Sequence, residues 1–355
     1  MKIAIITCYK YPDYVRAGTL RTAIAAVPDV ATVNIRNRHP GWLRFVEVPL
    51  KILRARLRDK PDAYLITFRG YEMLLFMALT LNRKPIIFDE MVNFTEWMEE
   101  HNRLRAGTVP YRLFRRWYAH LVKRCRFILA DTEAHAGHSA ELNRLGLSRY
   151  RAIPVGTDET VFYPRELQKP TDQPFTVFYY GHMLPLHGLE YVLEAAAMLK
   201  DRQDISFRLV GGKTKVKQAC QAASKAGAHV THEDWLPFDE LPSAALTADL
   251  TLGGPFGNTT QSQFVITGKT YQFLALGAPV LIGQNRVNDL FQDKVNCLAV
   301  PQADAKAIAE AITWAQDHPE ELKQIGQAGH QLYRAHFSQA VINGLVKQLI
   351  KDLVV

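Results

Sequence analysis

The stretch 176–190, T-V-F-Y-Y-G-H-M-L-P-L-H-G-L-E, decides the fold. Its first five residues are β-branched or aromatic without polar alternation, the pattern of a parallel strand covered on both faces. A turn bounded by Gly181 and Gly188 follows, and then the helical run Leu189–Lys200. Strand, glycine-bounded turn and helix in that order open a doubly wound α/β unit.

The alternation continues in both directions. Downstream, Phe207–Val210 runs into Gly211-Gly212 and Asp249–Leu252 into Gly253-Gly254-Pro255, while Pro279–Ile282 and Cys297–Val300 read as further strands. Upstream, Lys2–Thr7, Ala63–Thr67, Pro85–Phe88 and Arg126–Ala130 read the same way, the last leading into Asp131-Thr132, which can cap a helix. Between Pro154 and Pro174 the residues Gly156, Pro164, Pro170 and Pro174 interrupt the pattern. At roughly 100–200 residues per domain, 355 residues make two domains. The expected boundaries are 1–165 and 166–337, with an amphipathic helix over about 338–355 returning to the first domain. In that helix Val341, Leu345, Leu349 and Leu353 recur every four residues.

A composition of 48% hydrophobic and 22% charged residues excludes a disordered, fibrous or polytopic membrane chain. Met73–Leu81 is the longest apolar stretch, far short of a bilayer span, and Ile3–Thr7 is too short for a signal-peptide core. Cys8, Cys125, Cys220 and Cys297 show no pairing pattern and read as reduced thiols of a cytoplasmic protein. The net charge of +8 is uneven. Residues 34–60 carry a net +6 and residues 103–126 a net +8, which leaves the rest of the chain acidic. Trp42, Phe45 and Leu57 in one stretch, and Leu113, Phe114 and Trp117 in the other, stand among those cations. Such a mixture suits an anionic membrane surface and equally a solvated helix face. No nucleic-acid-binding signature accompanies it.

Ligands of open parallel sheets sit beyond the carboxyl ends of the strands, often at a helix N-terminus. Three strand-end loops therefore hold the candidates: 181–188, Gly211-Gly212-Lys213, and 256–260 with the helix opening at Gly268-Lys269-Thr270. Each also has a plain reading as a turn or an exposed helix start. The five residues before Gly212 do not complete a Walker loop, which removes the main support for a nucleotide triphosphatase.

With these loops goes a resemblance. Y-Y-G-H-M-L-P-L-H-G-L-E (179–190), F-R-L-V-G-G (207–212), W-L-P-F-D-E-L-P (235–242), F-G-N-T-T (256–260), G-K-T-Y-Q-F-L-A-L-G-A-P-V (268–280) and N-C-L-A-V-P (296–301) resemble the donor domain of family 4 glycosyltransferases of the GT-B fold. A-D-T-E-A-H (130–135) and I-P-V-G-T-D-E-T-V-F-Y-P (153–164) extend the resemblance upstream. It implies two doubly wound Rossmann-like domains facing an interdomain cleft, an acceptor side first and a nucleotide-sugar side second. It further implies a retaining, metal-independent hexosyl transfer from a UDP- or GDP-linked sugar to a saccharide or lipid-linked acceptor in polysaccharide or glycoconjugate assembly. No cofactor beyond the donor and no metal ligand is implied, and the setting is the cytoplasm, with peripheral membrane association.

By the same resemblance, the donor side comprises Gly18, Gly181, His182, His187, Gly188, Gly212, Trp235, Leu236, Gly257, Asn258, Thr259, Lys269, Tyr271 and Gln272. The family's paired acids would fall at 264 and 272, where this chain has Phe264 and Gln272, and the family's phosphate-binding Arg and Lys are His182 and His187. Phosphate binding then leans on Lys269 and backbone N–H groups. Asp89 and Asp131 are the catalytic candidates at strand ends of the first domain, each also readable as a helix-capping acid; Thr132 and His135 stand beside the second. Two rivals remain: a nucleotide-sugar epimerase of the same fold, and a non-catalytic sugar-nucleotide-binding scaffold, which the missing carboxylates suggest.

Overall fold

The computed structural model describes residues 1–354 except 81–82, 102 and 168–172, so Leu81, Pro170 and Val355, used above, lie outside it. The chain divides into two compact units, residues 1–155 with 339–355, and residues 156–338.

The first unit runs β1 (Lys2–Thr7), α1 (Val15–Ala25), β2 (Ala31–Arg36), α2 (Arg44–Arg58), β3 (Ala63–Ile66), α3 (Tyr71–Leu79), β4 (Ile86–Asp89), α4 (Phe94–Glu100), α5 (Val109–Val122), β5 (Phe127–Ala130), α6 (Glu133–Asn143) and β6 (Tyr150–Ala152). Among the described residues these strands make one parallel sheet in the order β2-β1-β3-β4-β5-β6. Alternate strand residues feed opposite layers, as the pleat requires. Ala4, Ile6, Ile66, Phe88 and Ile128 meet α2, α3, α5 and α6 in one layer, while Ile3, Ile5, Leu65, Ile87 and Leu129 meet α1 in the other.

The second unit runs β7 (Phe175–Tyr180), α7 (Leu189–Met198), β8 (Ile205–Val210), α8 (Thr214–Lys225), β9 (Val230–Glu233), α9 (Leu241–Leu246), β10 (Leu250–Leu252), α10 (Gly268–Leu276), β11 (Val280–Gly283), β12 (Leu298–Val300), α11 (Ala305–Asp317) and α12 (Pro319–His336). Its described strands form a parallel sheet ordered β12-β11-β10-β7-β8-β9, so β10 and β8 flank β7 at the reversal point. Finally α13 (Gln339–Val354) returns to the first unit, where Ile342, Val346, Leu349 and Ile350 are buried in the layer of α1.

Two sequence expectations need correction. The first unit ends at Val155, ten residues before the expected 165. Residues 156–165 pack into the second unit. Phe162 is buried against Phe238 (ring centroids 5.3 Å), Arg165 donates to Ser243 Oγ at 3.0 Å, and the Tyr333 hydroxyl donates to Glu159 Oε1 at 3.0 Å. Strands β2, β6 and β9 were not anticipated. All three are edge strands, and an edge strand keeps fewer apolar residues because one side is open. The four cysteines are buried and unpaired.

Because Ile342 is fully buried and Leu345 is 39% exposed on the same helix, Ile342→Ala should lower stability by about 2–5 kcal/mol, and Leu345→Ala by under about 1 kcal/mol. Urea unfolding of the two variants checks this. Equal losses would place the helix elsewhere than on α1.

Candidate functional site

In the second unit the site grows from the crossing of two loops. Residue Gly188 is left-handed (φ +63°), and a Cβ there would lie 2.5 Å from Gly257 N; a Cβ on Gly257 would lie 2.2 Å from the Pro185 carbonyl. The Gly257 N–H donates to the Leu186 carbonyl at 3.0 Å. The turn after β7 and the loop after β10 thus lie backbone on backbone, with no room for a side chain between them. Only glycine meets that demand. Below them Gly211 abuts the Gly181 carbonyl, and Gly212 turns against Val216. Gly188, Gly212 and Gly257 are therefore fixed by packing between loops.

Over this frame stands Lys269, in the first turn of α10 and 5% exposed. Its Nζ lies 4.9 Å from the centre of the Tyr179 ring, and among the described residues no carboxylate pairs with it. Burial pushes its pKa down to about 7. His187 shares the spot: a Cβ on Gly181 would lie 3.7 Å from His187 Cε1 and 3.9 Å from Lys269 Nζ. The Leu184 N–H donates to His187 Nδ1 at 3.2 Å. Burial, then the neighbouring Lys269 and His182, holds the His187 pKa well below its ordinary value. The imidazole is therefore neutral, its proton on Nε2. His182 is exposed beside it. A buried cation, an imidazole N–H and the orphan amides of a helix start, without a counter-charge, form a receptor for an anion.

On α10, Gln272 follows Lys269 by three residues, shares its face and is 6% exposed, with no hydrogen bond among the described residues. Tyr271 sits about 200° round the helix from Lys269. It is fully buried, edge-on to Phe337 at 5.1 Å, so it belongs to the core and not to the donor surface. Thr259 is tied into its own loop: its N–H donates to Ser262 Oγ at 3.2 Å, and its hydroxyl accepts from the Ser262 N–H at 3.1 Å. Asn258 is exposed, Trp235 is 72% exposed and Leu236 is half-buried after β9. Phe264 is buried under the Arg286 guanidinium, 5.1 Å from its ring centre, a cation the sequence reading missed because nothing local marks it.

In the first unit Asp89 does not have the free carboxylate of a base. Its Oδ1 accepts from Arg16 Nε (3.0 Å) and Nη2 (2.9 Å), and its Oδ2 from the Phe68 N–H (3.1 Å). Both partners of the ion pair are wholly buried, and Arg16 Nη1 also donates to the Ile153 and Pro154 carbonyls at 2.5 and 2.8 Å. The pair pins α1, β4 and the exit of the chain from the unit. Gly18 lies inside α1, where an added Cβ would meet nothing within 4 Å, so it is a helical position and not a phosphate loop. Asp131 is buried and its Oδ1 meets His135 Nδ1 at 2.6 Å. Burial opposes charge on His135, but Asp131, Glu90 and Glu96 outweigh it and raise the pKa. Asp131 therefore orients an imidazole, and the imidazole is the group able to exchange a proton. Nearby Glu90 accepts from the Tyr118 hydroxyl (2.5 Å) and from Asn143 (3.1 Å), and its pKa is raised by burial.

Residues 190–344 match the family model described as Glycosyl transferase-like. Solved structures extend the likeness to the whole chain. Anabaena HepE in complex with UDP-glucose superposes with a TM-score of 0.74 at 14% identity, over 99% of this chain and 100% of that one. Sucrose-phosphate synthase from Thermosynechococcus elongatus does so with 0.75 at 16%, over 100% and 99%. A glycosyltransferase from Rickettsia africae gives 0.69 at 12%, over 99% and 98%. At such identities the likeness carries the fold, which is GT-B. No curated protein matches by sequence.

Two outcomes follow. Asp89→Asn leaves Arg16 buried without a counter-charge and should cost about 3–5 kcal/mol in urea unfolding, whereas Arg16→Met with Asp89→Leu should recover much of it. A loss below about 1 kcal/mol for Asp89→Asn would show the pair to be idle. His135 has its folded pKa raised above the unfolded value of about 6.5. Its pairing thus contributes stability in full below that pH and loses it as pH rises through the folded pKa. Asp131→Asn should flatten that stretch of the stability profile, and identical profiles would remove the pair.

Proposed function

We propose that the chain is a retaining, metal-independent glycosyltransferase of family 4 that moves a hexosyl group from a nucleotide sugar to a saccharide or lipid-linked acceptor at an anionic membrane surface. The observation that carries this reading is Lys269: a buried cation at a helix N-terminus, beside His187, with no carboxylate among the described residues to neutralise it. A diphosphate supplies the negative charge such a spot lacks. The glycosyl transferase-like match over 190–344 includes this residue, and HepE is solved in complex with UDP and with UDP-glucose, which favours uridine over guanosine here.

In this reading Lys269 and the amides opening α10 meet the charge that develops on the leaving diphosphate. His187 donates through Nε2 as a neutral hydrogen-bond donor. Gln272, on the face of Lys269, takes the ribose hydroxyls that a carboxylate takes in relatives. His182, Trp235, Leu236 and Asn258 line the outer part of the donor site, Trp235 offering a ring to the base. Phe264 gives the sugar an apolar wall with Arg286 behind it. His135, oriented by Asp131, faces the acceptor side.

The test is titration of UDP-glucose and a panel of UDP- and GDP-sugars, followed by an assay of nucleotide release with saccharide acceptors. Lys269→Ala should weaken donor binding about 5- to 150-fold, equivalent to about 1–3 kcal/mol. Because Lys269 titrates at about 7, affinity should hold below that pH and fall above it. Lys269→Arg, whose charge is fixed, should abolish the fall. Binding without release would favour a scaffold; interconversion of free donor sugars would favour an epimerase. An unchanged dissociation constant in Lys269→Ala would sink the assignment.

A further inference from the structure

The outer face of the first unit carries a feature its own packing does not explain. Helix α2 buries Val48, Ile52 and Ala55 against the sheet. Two residues before each of these, about 200° round the helix, stand Val46, Leu50 and Leu53, and Leu57 continues the row. They are 50%, 60%, 39% and 76% exposed, and Trp42 before the helix is 71% exposed. The apolar row thus lies opposite the buried one and faces solvent. Arg54 and Arg58 border it on one side and Arg56 on the other, all exposed.

Helix α5 repeats the arrangement. It buries Tyr111, Tyr118 and Leu121, while Val109, Leu113 and Trp117, four residues apart, face outward with Arg112 and Arg116 along one side of the row. Both helices pack on the same face of the sheet, with α3 between them ending in exposed Leu79. Their outer rows therefore belong to one helical layer. At its lower rim, where α3 and α5 end, a cavity of about 730 Å³ is lined by Arg83, Lys84, Lys123, Arg124 and Arg126, with Asp352 as its one carboxylate, already paired to Arg151 at 3.0 Å. The Arg56 guanidinium donates to the Thr80 carbonyl at 3.1 Å, which joins the end of the α2 row to this rim.

We infer that the α2–α3–α5 face lies on an anionic lipid bilayer, with α2 in the plane of the headgroups, its leucines in the acyl boundary and its arginines on phosphates, and with the basic cavity taking a further headgroup. Charge selects this occupant. Leucines exposed in a row would suit many apolar partners, but cations on both flanks and around the cavity call for a surface that is apolar within and negatively charged outside. No described helix is long and apolar enough to cross a membrane, so the contact is lateral. The inference deepens the membrane part of the reading above and rests on it, since a lipid-linked acceptor is met at such a surface.

The test uses the full chain and two vesicle preparations, phosphatidylcholine alone and phosphatidylcholine with about a third phosphatidylglycerol. The wild type should co-sediment with the second on the order of tenfold better than with the first. Leu50→Glu with Leu57→Glu should weaken that binding at least about tenfold while leaving the thermal midpoint unchanged, since both side chains are already in water. Arg124→Gln with Arg126→Gln should weaken binding to the anionic vesicles only. Binding that ignores anionic lipid, or that survives the leucine substitutions, overturns the inference. So does a dimer in lipid-free buffer that the leucine substitutions dissolve, which would assign the row to a second copy. A UDP-glucose titration of the same lipid-free samples keeps the two readings apart: lost nucleotide binding with intact vesicle binding sinks only the transferase, and the converse sinks only the membrane face.

Discussion

A positive charge withdrawn from water needs an anion, and among the described residues one arginine and one lysine are so withdrawn, Arg16 and Lys269. Around Arg16 the requirement is met inside the protein: one carboxylate and two carbonyls take its protons, and three distant segments are fastened together as a result. Around Lys269 it is left unmet. The difference separates architecture from function more cleanly than any motif does. A satisfied buried cation has no call on a ligand, whereas an unsatisfied one raises the free energy of the empty protein and returns that energy when an anion arrives.

The empty cation is tolerable because its surroundings cannot relax around it. Gly188 and Gly257 press two backbones together, and Gly211 seats a third strand end beneath them. Loops held this way do not collapse onto the ammonium, nor do they swing a carboxylate towards it. Preorganisation of this sort reduces what ordering would otherwise cost when the ligand binds.

The central strands β1, β3, β4 and β5, and β7, β8, β10 and β11, were legible because they consist largely of apolar runs, and burial on two faces demands such runs; the edge strand β12 was legible by the same apolar run. The other three edges were not: Asn34 and Arg36 in β2, Arg151 in β6, and His232 and Glu233 in β9 are polar residues that an open edge accepts. For the candidate site, strand ends and helix starts marked by glycine pointed to Lys269 and His187, and the structure sets these two side chains near one another. Spacing along the chain could not distinguish Asp89 as an ion-pair partner from Asp89 as a base, because Arg16 lies 73 residues away in sequence. Nor could it put Tyr271 in the core, since the helix phase that turns it from Lys269 towards Phe337 is a three-dimensional fact.

The return of α13 to the first unit has a bearing on how the chain matures. The layer containing α1 is completed by Ile342, Val346, Leu349 and Ile350, residues that are translated after the whole second unit. The second unit, residues 156–338, has every one of its strands and helices before then. The half translated first is therefore the half that finishes last. For the time it takes to synthesise some 180 residues, its sheet waits with one face covered by α1 alone, and the later half closes ahead of it.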